Sequence, residues 1–157
     1  MKCKDKLAEY LDKNGVAFTA MSHATAYSSQ EVAAAQNVSG KQLAKVVIVE
    51  ADEKPVMLVL QASALIDMKK AAKAVGAKAV RLAKEGEFAD IFPDCEVGSM
   101  PPFGHLYKIP VYVDEGLAAV KEIVFEVGSH TATFKMKYAD YARLANPQVN
   151  AFAKPQG

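Results

Sequence analysis

The chain has 157 residues, 51% of them hydrophobic and 24% charged, with a formal net charge of +1. That size and apolar content describe one soluble globular domain with a full core, and no second domain is expected. The near-neutral balance excludes neither an RNA nor a small molecule as partner, because local patches matter more than the sum.

The opening residues MKCKDKLAEYLDKNG are charged, and no apolar run approaches the ~18 residues of a membrane span. A cytoplasmic protein without a membrane partner is therefore expected. Asp5 to Asn14 carries Leu7, Tyr10 and Leu11 on one face and meets Gly15, which predicts a helix with a glycine C-cap. Ser28-Ser29-Gln30-Glu31 is a capping box ahead of Val32 to Gln36, so a second helix starts there. Two β-branched runs, Val46 to Glu50 and Val56 to Leu60, flank a polar ADEKP turn and predict a buried hairpin. Leu65, Met68, Ala72 and Val75 step by three and four up to Gly76, the pattern of an amphipathic helix. Val80 to Leu82 reads as a short strand, and Glu85 to Phe92 as a short helix stopped by Pro93.

VGSMPPFG, residues 97–104, is a loop, because two adjacent prolines can serve neither a helix interior nor a central strand. Gly98 and Gly104 give this stiff segment hinge-like ends. Pro110 to Asp114 follows as a strand. Glu122 to Val127 and Thr131 to Met136 form a hairpin around Gly128-Ser129-His130, and Tyr138 to Ala145 is a last helix before a Pro147-containing tail. Strands joined by short turns and interleaved with helices predict an α+β fold: one domain over 1–157, its mixed, mostly antiparallel sheet flanked by helices.

Cys3 and Cys95 stand far apart and are expected to be free thiols. His23, His105 and His130 show no paired ligand spacing, so neither a metal nor another cofactor is expected. Serine-hydrolase, Walker and dinucleotide motifs are all missing. Three places can carry chemistry. Lys45 precedes an apolar strand, where it is either a solvated strand-end lysine or a fixed cation for a phosphate or carbonyl. Lys69, Lys70 and Lys73 share a helical face within a run of six basic and no acidic residues, Met68 to Lys84; they form either a solvated face or a track for an anionic polymer. The Gly128-Ser129-His130 turn is either a plain hairpin or a set of amides aimed at an anion, with His130 beside it.

In order, the strand AKVVIV (Ala44 to Val49), AVGAKAVRLA (Ala74 to Ala83), VGSMPPFG, VYVD (Val111 to Asp114) and VGSH (Val127 to His130) resemble the YbaK/prolyl-tRNA-synthetase-associated domain family. The resemblance runs from about Ser22 to about Pro147. It implies a ProX-like trans-editing aminoacyl-tRNA deacylase that hydrolyses the ester of a mischarged tRNA. It also implies catalytic roles for Lys45, Gly98, Gly128, Ser129 and His130, and a pocket lined by Met100, Pro101, Pro102 and Phe103. An aspartate found in some relatives is replaced here by the Thr131-Ala132-Thr133 region, so substrate identity does not carry over. Mischarged tRNA is the implied partner, with an aminoacyl-tRNA synthetase open as a second and no DNA. A non-catalytic module holding an amino acid or nucleotide end, and a synthetase-docking domain, stay open as alternatives. If the deacylase reading holds, Lys45, the Gly98 to Pro102 loop and the Gly128 to His130 turn should line one cleft.

Overall fold

A computed structural model describes residues 2–155; Met1, Gln156 and Gly157 of the expected 1–157 domain lie outside the described residues. Helix α1 (Cys3–Lys13) buries Cys3, Leu7 and Leu11 along one stripe and leaves through Gly15 at φ 66°. Strand β1 (Thr19–Ser22) leads to α2 (Ser29–Gln36), whose first turn is capped by Ser28 Oγ accepting from the Glu31 amide at 3.1 Å. The hairpin β2 (Ala44–Ala51) and β3 (Lys54–Gln61) turns at Asp52 and Glu53, with φ 49° and 68°. Two positive φ values give the turn hand that matches strand twist. The Asp52 carboxylate also accepts from the amides of Lys78 and Ala79, tying the turn to the next strand.

Strand β4 (Ala64–Ile66) precedes α3 (Met68–Val75), so the helix starts later than the apolar spacing predicts. Asp67 accepts from the amides of Lys69 and Lys70, and a cap at 67 puts Leu65 outside the helix, on β4 and exposed. After β5 (Val80–Leu82), the expected Glu85 to Phe92 helix divides into α4 (Glu85–Phe88) and a 3-10 turn over Ala89–Ile91. Then come β6 (Val111–Asp114), α5 (Glu115–Ala118), β7 (Glu122–Glu126), β8 (Ala132–Lys137) and α6 (Tyr138–Ala145). The tail forms two short strands that the sequence does not announce, β9 (Gln148–Asn150) and β10 (Ala153–Pro155). Asp114 draws them in, accepting from the amides of Phe152 and Ala153 at 2.9 and 3.0 Å.

The strands form one sheet in the order β5-β2-β3-β6-β9, a second in the order β1-β8-β7, and a small β10-β4 pair. Only β6 makes parallel pairings among the named strands, with β3 and β9; the rest are antiparallel. A parallel bridge between Leu43 and Val124 joins the two larger sheets at a seam. The main core lies between them and takes Ile48, Met57 and Val59 from one, Ile123, Phe125 and Phe134 from the other, and Leu7, Leu11 and Tyr141 from helices. On the outer face of the five-stranded sheet, Val49, Leu58 and Leu60 pack against Ala71 of α3 and Phe152. Val32 and Ala33 of α2 cover Leu43 and Val124 at the seam. Among the described residues, no helix is long and apolar enough to cross a membrane.

The expectation of free thiols is corrected. Cys3 and Cys95 form a disulfide with Cα atoms 5.1 Å apart, across 92 residues of sequence. The Cys3 amide donates to the Asp94 carbonyl at 3.0 Å and Lys6 pairs with Asp94 at 2.8 Å, so the start of α1 is docked on the 93–96 segment before any sulfur chemistry is counted. Removing the bridge with Cys3→Ala and Cys95→Ala together frees a long loop in the unfolded chain and should cost about 3 kcal/mol. In scanning calorimetry, the double variant should melt roughly 6–12 °C below the oxidised parent. An unchanged melting temperature would show that the docked segments hold without it.

Candidate active site

Lys45 sits on β2 opposite Leu60 of β3. Residues directly opposite in a sheet share a face. Leu60 belongs to the outer cluster with Leu58 and Val49, whereas Ala44 and Ile48 turn into the main core. The Lys45 side chain therefore leaves the sheet on the face that α3 covers. Its ammonium donates to the Ala64 carbonyl, and burial holds its pKa below the ordinary lysine value.

Across the seam, the Val124 amide donates to the Gln42 carbonyl at 3.1 Å. Lys45 and Glu126 each stand two residues beyond the Leu43–Val124 bridge. Alternation along β7 sends Ile123 and Phe125 into the main core and Glu126 the other way. Lys45 and Glu126 thus emerge on the same side of neighbouring strands.

The loop after the 3-10 turn and the β7–β8 turn meet on that side. The Gly128 amide donates to the Ser99 carbonyl at 2.7 Å, and the Glu96 amide returns a bond to the Gly128 carbonyl at 2.9 Å. Gly98 (φ 87°) and Gly128 (φ 92°) both need the left-handed region, which non-glycine residues seldom enter. A Cβ on Gly98 would touch the His130 ring, 4.0 Å away. Because the Gly128 N–H is already committed to Ser99, Gly128 cannot lend it to a substrate. The amides of Gly98 and Ser129 have no protein acceptor among the described residues.

The four expected pocket-lining side chains behave differently. Phe103 is wholly buried, its ring edge-on to Tyr10, Phe125 and Tyr141, and Met100 packs into the same core. Pro101 and Pro102 are buried, and the Pro102 carbonyl accepts from the Tyr141 hydroxyl at 2.7 Å. Pro101 borders a small apolar hollow with Leu7, Tyr10 and Leu106, on the α1 side. Met100 and Phe103 therefore face away from Lys45: large apolar side chains gain more from the core than from a rim open to water. The loop meets the turn through its backbone, at Gly98 and Ser99.

His130 is the most constrained side chain of the turn. Its Nε2 is 3.6 Å from Glu96 Oε2, its Nδ1 is 3.8 Å from Glu126 Oε2, and the Tyr27 ring lies over it at 4.8 Å between centroids. Burial pushes the Glu126 carboxyl up to about 8. Glu126, Glu96 and Tyr27 are missing from the sequence reading. The one signal available was Glu126 itself, an acid inside the otherwise apolar run IVFEV. Lys69, Lys70 and Lys73 are all exposed on α3, and Lys70 and Lys73 border a surface depression with Asn150 and Ala151.

Residues 23–144 match the aminoacyl-tRNA editing domain, most of the length of the chain. The chain belongs to the aminoacyl-tRNA editing domain family. As an editing domain it is an aminoacyl-tRNA hydrolase, a deacylase acting on the ester between amino acid and tRNA. The multifunctional Ser/Thr-tRNA deacylase ProXp-y of Escherichia coli K12 is 25% identical over 154 residues, covering 95% of this chain and 92% of that protein. A proline–tRNA ligase of Bacillus cytotoxicus is 31% identical over 91 residues, 58% of this chain but 16% of the ligase. A crystal structure of a candidate trans-editing enzyme for prolyl tRNA synthetase superposes with a TM-score of 0.81 at 21% identity, covering 100% of this chain and 99% of that one; it shows the same fold.

Proposed function

We propose that this editing domain acts in trans on mischarged tRNA, with Lys45, the Gly98 and Ser129 amides and His130 arranged around the ester. The observation that supports this reading is the meeting of the Gly98 loop with the Gly128–His130 turn, on the side of the seam where Lys45 emerges. A synthetase pocket rejects a wrong small side chain by only ~1–3 kcal/mol per methylene, so a second site must remove the errors. An aminoacyl ester is already activated. Orientation and oxyanion stabilisation are enough for water to attack its carbonyl carbon, with the tRNA hydroxyl leaving, and no covalent nucleophile is needed. In this mechanism Lys45 holds the phosphate of the terminal nucleotide, whose charge offsets the burial of the ammonium. The two amides without acceptors receive the oxyanion, and His130 donates to the substrate from its ring.

The E. coli relative makes seryl- and threonyl-tRNA the first substrates to try, and the ligase match makes a prolyl-tRNA synthetase the first candidate for a companion. The deciding experiment incubates the protein with a panel of tRNAs carrying small amino acids and follows the ester that remains. Loss of ester above the uncatalysed rate on at least one member supports the deacylase. Binding without turnover on all of them would favour the non-catalytic module.

The basic helix α3 covers the same sheet face that Lys45 enters. Lys69, Lys70 and Lys73 would therefore continue the phosphate track away from the ester. tRNA affinity should fall steeply with salt, and the Lys69→Ala/Lys70→Ala/Lys73→Ala variant should flatten the log–log slope by roughly one unit per lost contact. A variant that binds tRNA with the parental slope would return this face to plain solvation.

A further inference from the structure

His130 Nδ1 and Glu126 Oε2 are both buried, and neither has a hydrogen-bond partner. Each buried polar atom without a partner normally costs stability, so two of them facing each other call for a reason. They lie 3.8 Å apart, four residues apart in sequence across the head of the hairpin. That is longer than a hydrogen bond, but the bonds of active sites without substrate are often long and tighten when it binds. Among the described residues, no other donor or acceptor bonds to either atom.

We propose that Glu126 is a positioning residue for His130: its protonated carboxyl donates to Nδ1, which fixes the ring in the tautomer that carries hydrogen on Nε2. The inference rests on the deacylase reading for its functional consequence, but not for the tautomer itself. With Nδ1 as acceptor, Nε2–H becomes the ring's donor, on the edge where Glu96 Oε2 lies 3.6 Å away and where Cε1 faces Gly98. Removing the Glu126 proton reverses the arrangement, because a carboxylate takes the hydrogen on Nδ1 and leaves Nε2 an acceptor. The carboxyl value near 8, raised by burial, places that reversal just above neutral pH. Among the described residues, the titratable groups placed around this pair are Glu96, 3.6 Å from Nε2; Tyr27, its ring tilted against the imidazole; His23, whose amide donates to the Thr131 carbonyl; and Lys45 of the neighbouring strand, its ammonium on Ala64. Glu96 is the more exposed of the two acids, 57% against 12% for Glu126, so the buried acid is the one poised to hold a proton.

Two substitutions separate this role from packing. Glu126→Gln keeps a donor for Nδ1 but cannot ionise, whereas Glu126→Leu keeps bulk and removes the donor. The expected results are a parental kcat/KM near pH 7 for Glu126→Gln, with the alkaline decline near pH 8 gone, and a loss of about 10-fold or more for Glu126→Leu, mainly in kcat. In parallel, 15N and 13C NMR of the parent alone, without tRNA, should show the Nε2–H tautomer of His130 changing with the same midpoint as the Glu126 carboxyl carbon. Different midpoints, or a His130 ring insensitive to the Glu126 titration, would overturn the proposal whether or not either variant folds. A Glu126→Leu protein with full activity and the parental pH profile would overturn it too. If the parent cleaves no ester in the panel while the NMR midpoints coincide, the deacylase reading fails and the Glu126–His130 pairing stands.

Discussion

Lys45→Ala should lower deacylation by about 10²-fold or more, the scale seen when one preorganised stabilising group is taken from an active site. The melting temperature should move by only a few degrees. The substitution removes one partly exposed side chain and its bond to the Ala64 carbonyl, a contribution of about 1 kcal/mol, or roughly 2–4 °C in a domain of this size. Because the side chain emerges on the face that α3 covers, away from the main core, no large cavity opens behind it. Lys45→Arg is the companion variant: it keeps the charge but puts a wide planar fork where a compact ammonium reaches Ala64, so it should recover part of tRNA binding and little of kcat. The measurement is single-turnover loss of ester from mischarged tRNA beside calorimetry on the same samples. A folded Lys45→Ala protein that deacylates at the parental rate would make the lysine a bystander and bring the binding-module alternative forward.

Gly128→Ala should be the most damaging single substitution to stability. At φ 92° an alanine is strained by about 1–3 kcal/mol. Its Cβ would also lie 2.5 Å from Cys3 Cβ and 2.6 Å from Cys3 Sγ. Cys3 cannot rotate away, because its sulfur is bonded to Cys95. The turn cannot slide either, being held by the Gly128 bond to Ser99 and the Glu96 bond to Gly128. Strain and overpacking together come to about 4 kcal/mol, which is roughly 8–16 °C in melting temperature. Activity should fall with it, since the same turn sets Gly98 against His130. Repeating the substitution in a Cys3→Ala background removes the sulfur from the clash, so the two changes should be less than additive. Strict additivity, or a fall below about 1 kcal/mol in the parent background, would mean that the segment yields freely.

Much of this architecture is written in short-range chemistry. Ser28 caps α2 and Asp67 caps α3 through side-chain oxygens only two or three residues from the amides they bind, and Gly15 and Gly76 sit at left-handed helix ends. The β2–β3 hairpin follows from two β-branched runs around a turn that Asp52 and Glu53 can adopt. The family pattern of Lys45, Gly98 and Gly128 was legible in the same way, because residue types at set points in a chain survive without coordinates. Even there, local periodicity misled at Leu65, where a nearby cap outweighed one more apolar position.

What lies far apart in the chain was decided only by the tertiary structure. Nothing near Cys3 or Cys95 says that α1 docks on the 93–96 segment, and a disulfide across 92 residues depends on that docking. Two tail strands form because Asp114, buried at the end of β6, needs donors that Phe152 and Ala153 supply. The inward turn of Met100 and Phe103 depended on a core assembled from both sheets and from helices α1, α4, α5 and α6. The grouping of Lys45, Glu126 and His130 on one side rests on a single parallel bridge, Leu43 to Val124, that joins the sheets. Caps, turns and periodicity act within a few residues and can be read along the chain, whereas burial, pairing and pKa depend on which distant surfaces exclude water from one another.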